Sequence, residues 1–70
     1  MIPLNLADCN VEVIIRRIAG KQEMKRHLEN LGFVVGAAVR VISENSGNVI
    51  VDVKESRIAI GEDMARKIMV

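Results

Sequence analysis

Val39-Arg40-Val41-Ile42-Ser43-Glu44-Asn45-Ser46-Gly47-Asn48-Val49-Ile50-Val51-Asp52-Val53 is the stretch that decides the fold. Val39 and Val41 alternate with Arg40 and Ser43, while Val49, Val51 and Val53 alternate with Ile50 and Asp52. A two-residue period of this kind marks strands with one buried face. Between the two runs, Glu44 to Asn48 collects residues that tolerate positive φ or hydrogen-bond their own backbone, as a tight antiparallel connection requires. A β-hairpin is therefore expected. Further on, Lys54-Glu55-Ser56 gives a second polar turn before a strand over Arg57 to Ile60. Gly61-Glu62-Asp63 then opens a short helical turn that leads into a last strand at Ile68 to Val70.

Upstream of the hairpin, Val11 to Ile18 is rich in β-branched residues, with Val11, Val13 and Ile15 alternating with Glu12 and Arg16, and reads as the first strand. After Gly20 the period changes. Met24, Leu28 and Leu31 fall at i, i+4 and i+7, which places them on one stripe of an amphipathic helix spanning Lys21 to Leu31. Gly32 can take the left-handed conformation that ends the helix, leaving Phe33 placed to touch Leu28. The expected core is Met24, Leu28, Leu31 and Phe33 from the helical region, with Val39, Val41, Val49, Val51 and Ile68 from the sheet. Short antiparallel strands in so small a chain bury their edges best by curling into a barrel. The fold class expected is thus mainly β: a small barrel of about five strands with one inserted α-helix, forming a single domain over residues 1–70.

Composition limits what such a barrel can do. A chain of 70 residues, half of them hydrophobic, supports one core and buries only about 60% of its unfolded surface. Ten Lys plus Arg against nine Asp plus Glu leave a net charge of +1, so no global field attracts polyanions. The lone Cys9 cannot form an internal disulfide, Met1 to Asp8 lacks the basic and apolar regions of a signal peptide, and no segment has the length of a membrane span. These features make the cytoplasm the expected location.

The pattern resembles the ferrous iron transport protein A (FeoA) family, whose fold is an SH3-like barrel with a helix after the first strand. The resemblance rests on Leu4-x-Leu6-Ala7-Asp8, Ile15-x-x-Ile18-x-Gly20, Leu28-x-x-Leu31-Gly32-Phe33 and Gly36. It continues through Val39-x-Val41, Val49-x-Val51-x-Val53, Arg57-Ile58-Ala59-Ile60 and Ala65-x-x-Ile68-x-Val70. One departure is Val35, where the family often has a proline before the glycine. The resemblance implies a cytoplasmic, non-enzymatic accessory protein of ferrous iron uptake. Its partner would be the cytoplasmic part of the membrane transporter FeoB, which carries its own GTP-binding domain, and membrane contact would come only through that partner. The same barrel also forms the C-terminal domain of metal-dependent transcriptional repressors. An interaction or dimerisation module of that kind is therefore the alternative.

The residue inventory agrees with a binding role. One His, one Cys and no Tyr supply no nucleophile, base and orienting group for hydrolysis or transfer, and no Gly-x-x-x-x-Gly-Lys-Ser/Thr string occurs. Cys9 and His27 are single residues without paired ligand spacing, so neither a metal site nor a cofactor is expected. Cys9 reads as a semi-buried apolar residue and His27 as a polar neighbour of the helix stripe. Nucleic acid is not an expected partner either, because single-strand binding by small barrels stacks bases on aromatic rings and Phe33 is the only ring.

Two features remain for partner recognition. Arg16, Arg17, Lys21, Lys25 and Arg26 gather five basic residues opposed locally only by Glu23, a face suited to an acidic surface. Ile42 and Ile50 are expected on the sheet face opposite the inward valines, forming an apolar surface for a partner or for a second copy of the chain in a homo-oligomer.

Overall fold

Alternation of buried and exposed residues along Ala38–Asn45 (β3) and Asn48–Val53 (β4) produces the expected hairpin, with Val39 opposite Val53 and Val41 opposite Val51. A computed structural model describes all residues, Met1–Val70. The hairpin loop is only Ser46 and Gly47, both at positive φ (49° and 84°), so Glu44, Asn45 and Asn48 belong to the strands or their ends. A third strand, Ser56–Gly61 (β5), pairs antiparallel with β4 through an equally short loop, Lys54 and Glu55. These two residues also take left-handed φ values, 49° and 64°. Both loops thus have the backbone twist that two-residue hairpins need, but only the first has a glycine to supply it cheaply.

The single strand expected over Val11 to Ile18 is instead two. Glu12–Ile14 (β1) pairs with β3, while Arg17–Ile18 (β2) pairs with Ile68–Met69 (β6) in a separate two-stranded sheet. The sheets are therefore β1-β3-β4-β5 and β2-β6, six strands where about five were expected. The break falls at Ile15, which is fully buried and whose N–H donates to the Ala37 carbonyl at 2.9 Å. The bend lets one run of chain serve both sheets, and Val11 is left exposed instead of facing the core. Closure is completed at the termini, where Ile2 and Val70 exchange backbone hydrogen bonds of 2.9 and 2.8 Å.

The helix is Gln22–Asn30 (α1), one residue shorter at each end than expected. It ends in a Schellman motif: the Phe33 N–H donates to the Leu28 carbonyl and the Gly32 N–H to that of Glu29, both at 2.9 Å, with Gly32 at φ +104°. Leu28 and Phe33 are fully buried, and Met24 and Leu31 lie half-buried against them. A second, short helix, Glu62–Ala65 (α2), buries Ala65. A 3-10 turn at Leu4–Leu6 adds the fully buried Leu4 to a core that contains no polar side chain.

Two substitutions test this account. Leu28→Ala removes a fully buried side chain from the centre of the core and is expected to cost about 2 to 5 kcal/mol in chemical denaturation. Val34 to Ala37 forms a turn closed by the Ala37 N–H on the Val34 carbonyl at 3.0 Å, with Gly36 at φ +92° in the third position. That is type II geometry, whose second position favours proline, and Val35 stands there exposed with no backbone hydrogen bond from its N–H. Val35→Pro is expected to stabilise the fold by about 0.4 to 1 kcal/mol, read as a raised melting temperature.

Candidate functional site

Helix α1 begins beside the end of the β2-β6 sheet, where the Ala19 N–H donates to the Lys67 carbonyl at 2.7 Å. At this junction lies an open groove of about 570 Å³, lined by Gly20, Lys21, Glu23, Met24, His27, Met64 and Lys67. Gly20, at φ +109°, brings its two walls together. A side-chain carbon added there would meet Met24 Cγ at 3.6 Å and Lys67 Cδ at 3.7 Å. Half-buried Met24 and Met64 form the floor, and exposed Lys21, Lys67, Glu23 and His27 form the rim. Unbranched thioether side chains make an apolar floor that can adapt to different partner shapes.

Of the basic residues expected to form one face, only Lys21 lines this groove. Arg16 and Arg17 lie where β1 passes into β2, and the Arg16 N–H donates to the Met69 carbonyl at 2.8 Å. Lys25 is half-buried, while Arg26, two residues beyond Met24 and so about 200° around the helix, points away from the core. None of the five is ion-paired. The ion pairs present are Arg57 with Asp52 at 2.9 Å and Arg66 with Glu62 at 2.8 Å. The basic residues are thus spread over β2 and α1 instead of forming one flat patch. Sequence reasoning missed Met64, which reaches the groove from α2, and Lys67, which reaches it from the link between α2 and β6; three-residue spacing beyond Gly61 was the available signal.

The two isoleucines share a second surface, the outer face of the larger sheet. Ile50 pairs with Ser43 on one side and Ala59 on the other, and it is half-buried. Ile42 sits in a β-bulge between Val41 and Ser43, where the register shifts and simple alternation fails; it too is half-buried. A parallel polar row, Arg40, Asp52 and Arg57, crosses the same face. The hydrogen bond from Arg57 holds the Asp52 carboxyl below the usual carboxylate range, with the nearby positive charges adding to it. The contribution of this pair is therefore present at neutral pH and is lost as the pH falls and Asp52 takes up a proton.

No group of three or more His, Cys, Asp and Glu side chains converges anywhere in the chain. Cys9, expected half-buried, is exposed, and it lies outside the groove that His27 lines. No helix is long and apolar enough to cross a membrane.

The model of the FeoA domain matches residues 2–70. The chain belongs to the FeoA family. A Methanocaldococcus jannaschii protein named Fe(2+) transport protein A is 44% identical over 71 residues, covering 100% of this chain and 85% of that protein. Among solved structures, an iron uptake regulatory protein, FeoA, superposes with a TM-score of 0.89 at 30% identity, covering 99% of this chain and 92% of the other. The Stenotrophomonas maltophilia FeoA, solved with zinc and described as an SH3 domain protein, gives 0.81 at 22% identity, covering 96% and 86%. A manganese-dependent transcriptional repressor gives 0.85 at 19% identity, covering 94% of this chain but 38% of its own. At identities this low the last two show the shared fold, so the SH3-like barrel that the resemblance implied is the architecture of this FeoA-family chain.

The outer-face position of Ile50 has a direct test. Ile50→Glu is expected to retain the folded circular-dichroism spectrum, whereas Val51→Glu, which puts a carboxylate at a fully buried position, is expected to abolish it.

Proposed function

We propose that this chain is a cytoplasmic, non-enzymatic accessory protein of ferrous iron uptake that binds the cytoplasmic part of the membrane transporter FeoB and supports or regulates it. Family membership supplies the link to ferrous iron transport. The observation that carries the binding role is the methionine-floored groove beside the start of α1, whose rim carries Lys21 and Lys67 without ion partners. An apolar floor supplies affinity, and a charged rim steers approach and orients the partner. Arg16, Arg17, Lys21, Lys25 and Arg26 would contribute the steering, and an acidic surface on the transporter would meet them. Ile42 and Ile50, on a different face, would contribute a separate apolar contact.

The manganese-dependent repressor shares this fold over 38% of its own length, so the barrel also occurs as part of a longer chain. A DNA-binding activity of the barrel itself gains no support from a net charge of +1 and a single aromatic ring.

The test is retention of detergent-solubilised FeoB on the tagged protein, followed by titration of the transporter's cytoplasmic domain. Binding is expected. The triple variant Lys21→Gln, Lys25→Gln, Arg26→Gln is expected to weaken it several-fold at low salt and less at moderate salt, because exposed charges are screened over about 10 Å at 0.1 M. Absence of binding by the unmodified chain overturns the proposal; equal binding by the triple variant at both salt concentrations removes the basic residues from it.

A further inference from the structure

Strand β5 is the edge of the larger sheet, and its outer side is open. In a two-residue hairpin the flanking residues, here Val53 and Ser56, form a pair that exchanges both hydrogen bonds, and such pairs then alternate along the ladder. Ile58 and Ile60 therefore bond to Val51 and Val49, whereas the N–H groups of Arg57, Ala59 and Gly61 and the carbonyls of Arg57 and Ala59 point away from β4. No turn or loop hydrogen bond reaches any of these groups. Edges of this kind are ordinarily blunted by lysine, proline, a bulge or an inward-pointing charge. Strand β5, Ser-Arg-Ile-Ala-Ile-Gly, has no lysine, proline, bulge or inward-pointing charge; its one charged residue, Arg57, is on the outer face and is neutralised by Asp52 of β4, and the register shift lies on the other side of β4. The opposite edge, β1, is only three residues long.

We propose that the free edge of β5 pairs antiparallel with β5 of a second copy of this chain, about a two-fold axis at Ala59. Ala59 is the central residue whose amide and carbonyl both point outward, so a two-fold there has the correct hydrogen-bonding parity. The two Ala59 residues exchange bonds, and the Gly61 N–H of each copy donates to the Arg57 carbonyl of the other. The same register is complementary in its side chains. Arg57 stands opposite Gly61, so the two guanidinium groups do not confront each other, and half-buried Ile58 stands opposite Ile60 on the inner face. On the outer face, the row Ser43, Ile50, Ala59 of one copy runs on into the same row of the second, reversed, doubling the apolar surface. This inference goes beyond transporter binding and rests on the sheet geometry alone.

A contact of one strand pair is smaller than the standard interface of about 1,600 Å², so association is weak and is to be sought at protein concentrations up to about 1 mM. Sedimentation velocity over that range is expected to show the unmodified chain moving toward the mass of two copies. Ala59→Pro deletes the outward amide without touching the ladder to β4, and Ala59→Lys sets two charges face to face across the axis. Each is expected to weaken association about tenfold or more while the circular-dichroism spectrum is kept. In the unmodified chain, the amides of Ala59 and Gly61 are expected to exchange with solvent more slowly as concentration rises, a readout that requires no variant to fold. A monomer up to 1 mM, association unaffected by both substitutions, or exchange at Ala59 independent of concentration overturns the proposal. A monomeric chain whose Ala59→Pro variant loses FeoB binding overturns it as well, and assigns the edge to an extended segment of the transporter.

Discussion

The amide of Phe33 donating to the carbonyl of Leu28 is the bond on which the arrangement depends. It reverses the chain at the end of α1 and sends two adjoining apolar side chains into the same interior, where Val39, Val41, Val49, Val51 and Val53 receive them. A barrel of valines alone is too shallow to fill itself, because β-branched side chains reach only a short way from the sheet. Phe33 and Leu28 provide the missing volume, and glycine at position 32 is what permits the reversal, its φ of +104° being costly for any residue with a side chain. Without this cap α1 would leave the barrel open, and the groove beside Gly20 would have only one wall.

Much of the fold could be read from the chain because local and global preferences agree along β3, β4 and α1. The valine alternation, a turn within Glu44 to Asn48 and the Met24, Leu28, Leu31 stripe each admit one reading. The parts that resisted are those where one segment serves two masters. Val11 to Ile18 alternates well enough to look continuous, and nothing local marks Ile15 as the residue where the chain leaves one sheet for another. The Lys54-Glu55 loop gives no glycine or asparagine to announce its left-handed backbone. Leu4 is fully buried because the terminal segment is drawn in by Val70, a contact between residues at opposite ends of the sequence.

The candidate surfaces were legible to different degrees for the same reason. Five basic residues close together in sequence are dispersed in space because Arg16 and Arg17 lie at β2 while Lys25 and Arg26 turn away along α1 by about 100° per residue, so that of the five only Lys21 reaches the groove. The groove's other half comes from Met64 and Lys67, some forty residues later, and only the pairing of β2 with β6 brings them across. Ile50 keeps the expected side of the sheet because it lies in a regular stretch of ladder, whereas Ile42 is governed by the bulge.

Gly32 also shapes how α1 is held. A carbon added there would stand 3.4 Å from Lys54 Cδ and 3.5 Å from Val53 Cγ2, so the tip of the β4-β5 hairpin lies directly against the end of the helix. The far end is tied differently: Lys21 makes no side-chain cap, and the approach to the helix is held by the single backbone bond from the Ala19 N–H to the Lys67 carbonyl. In mechanical terms α1 is a beam clamped at its C-terminal end and pinned by one bond at its N-terminal end, the end that carries the methionine-floored groove. A load placed on that groove therefore bears on the junction of β2 and β6 through this pin, while the clamp at Gly32 passes load to the β4-β5 hairpin.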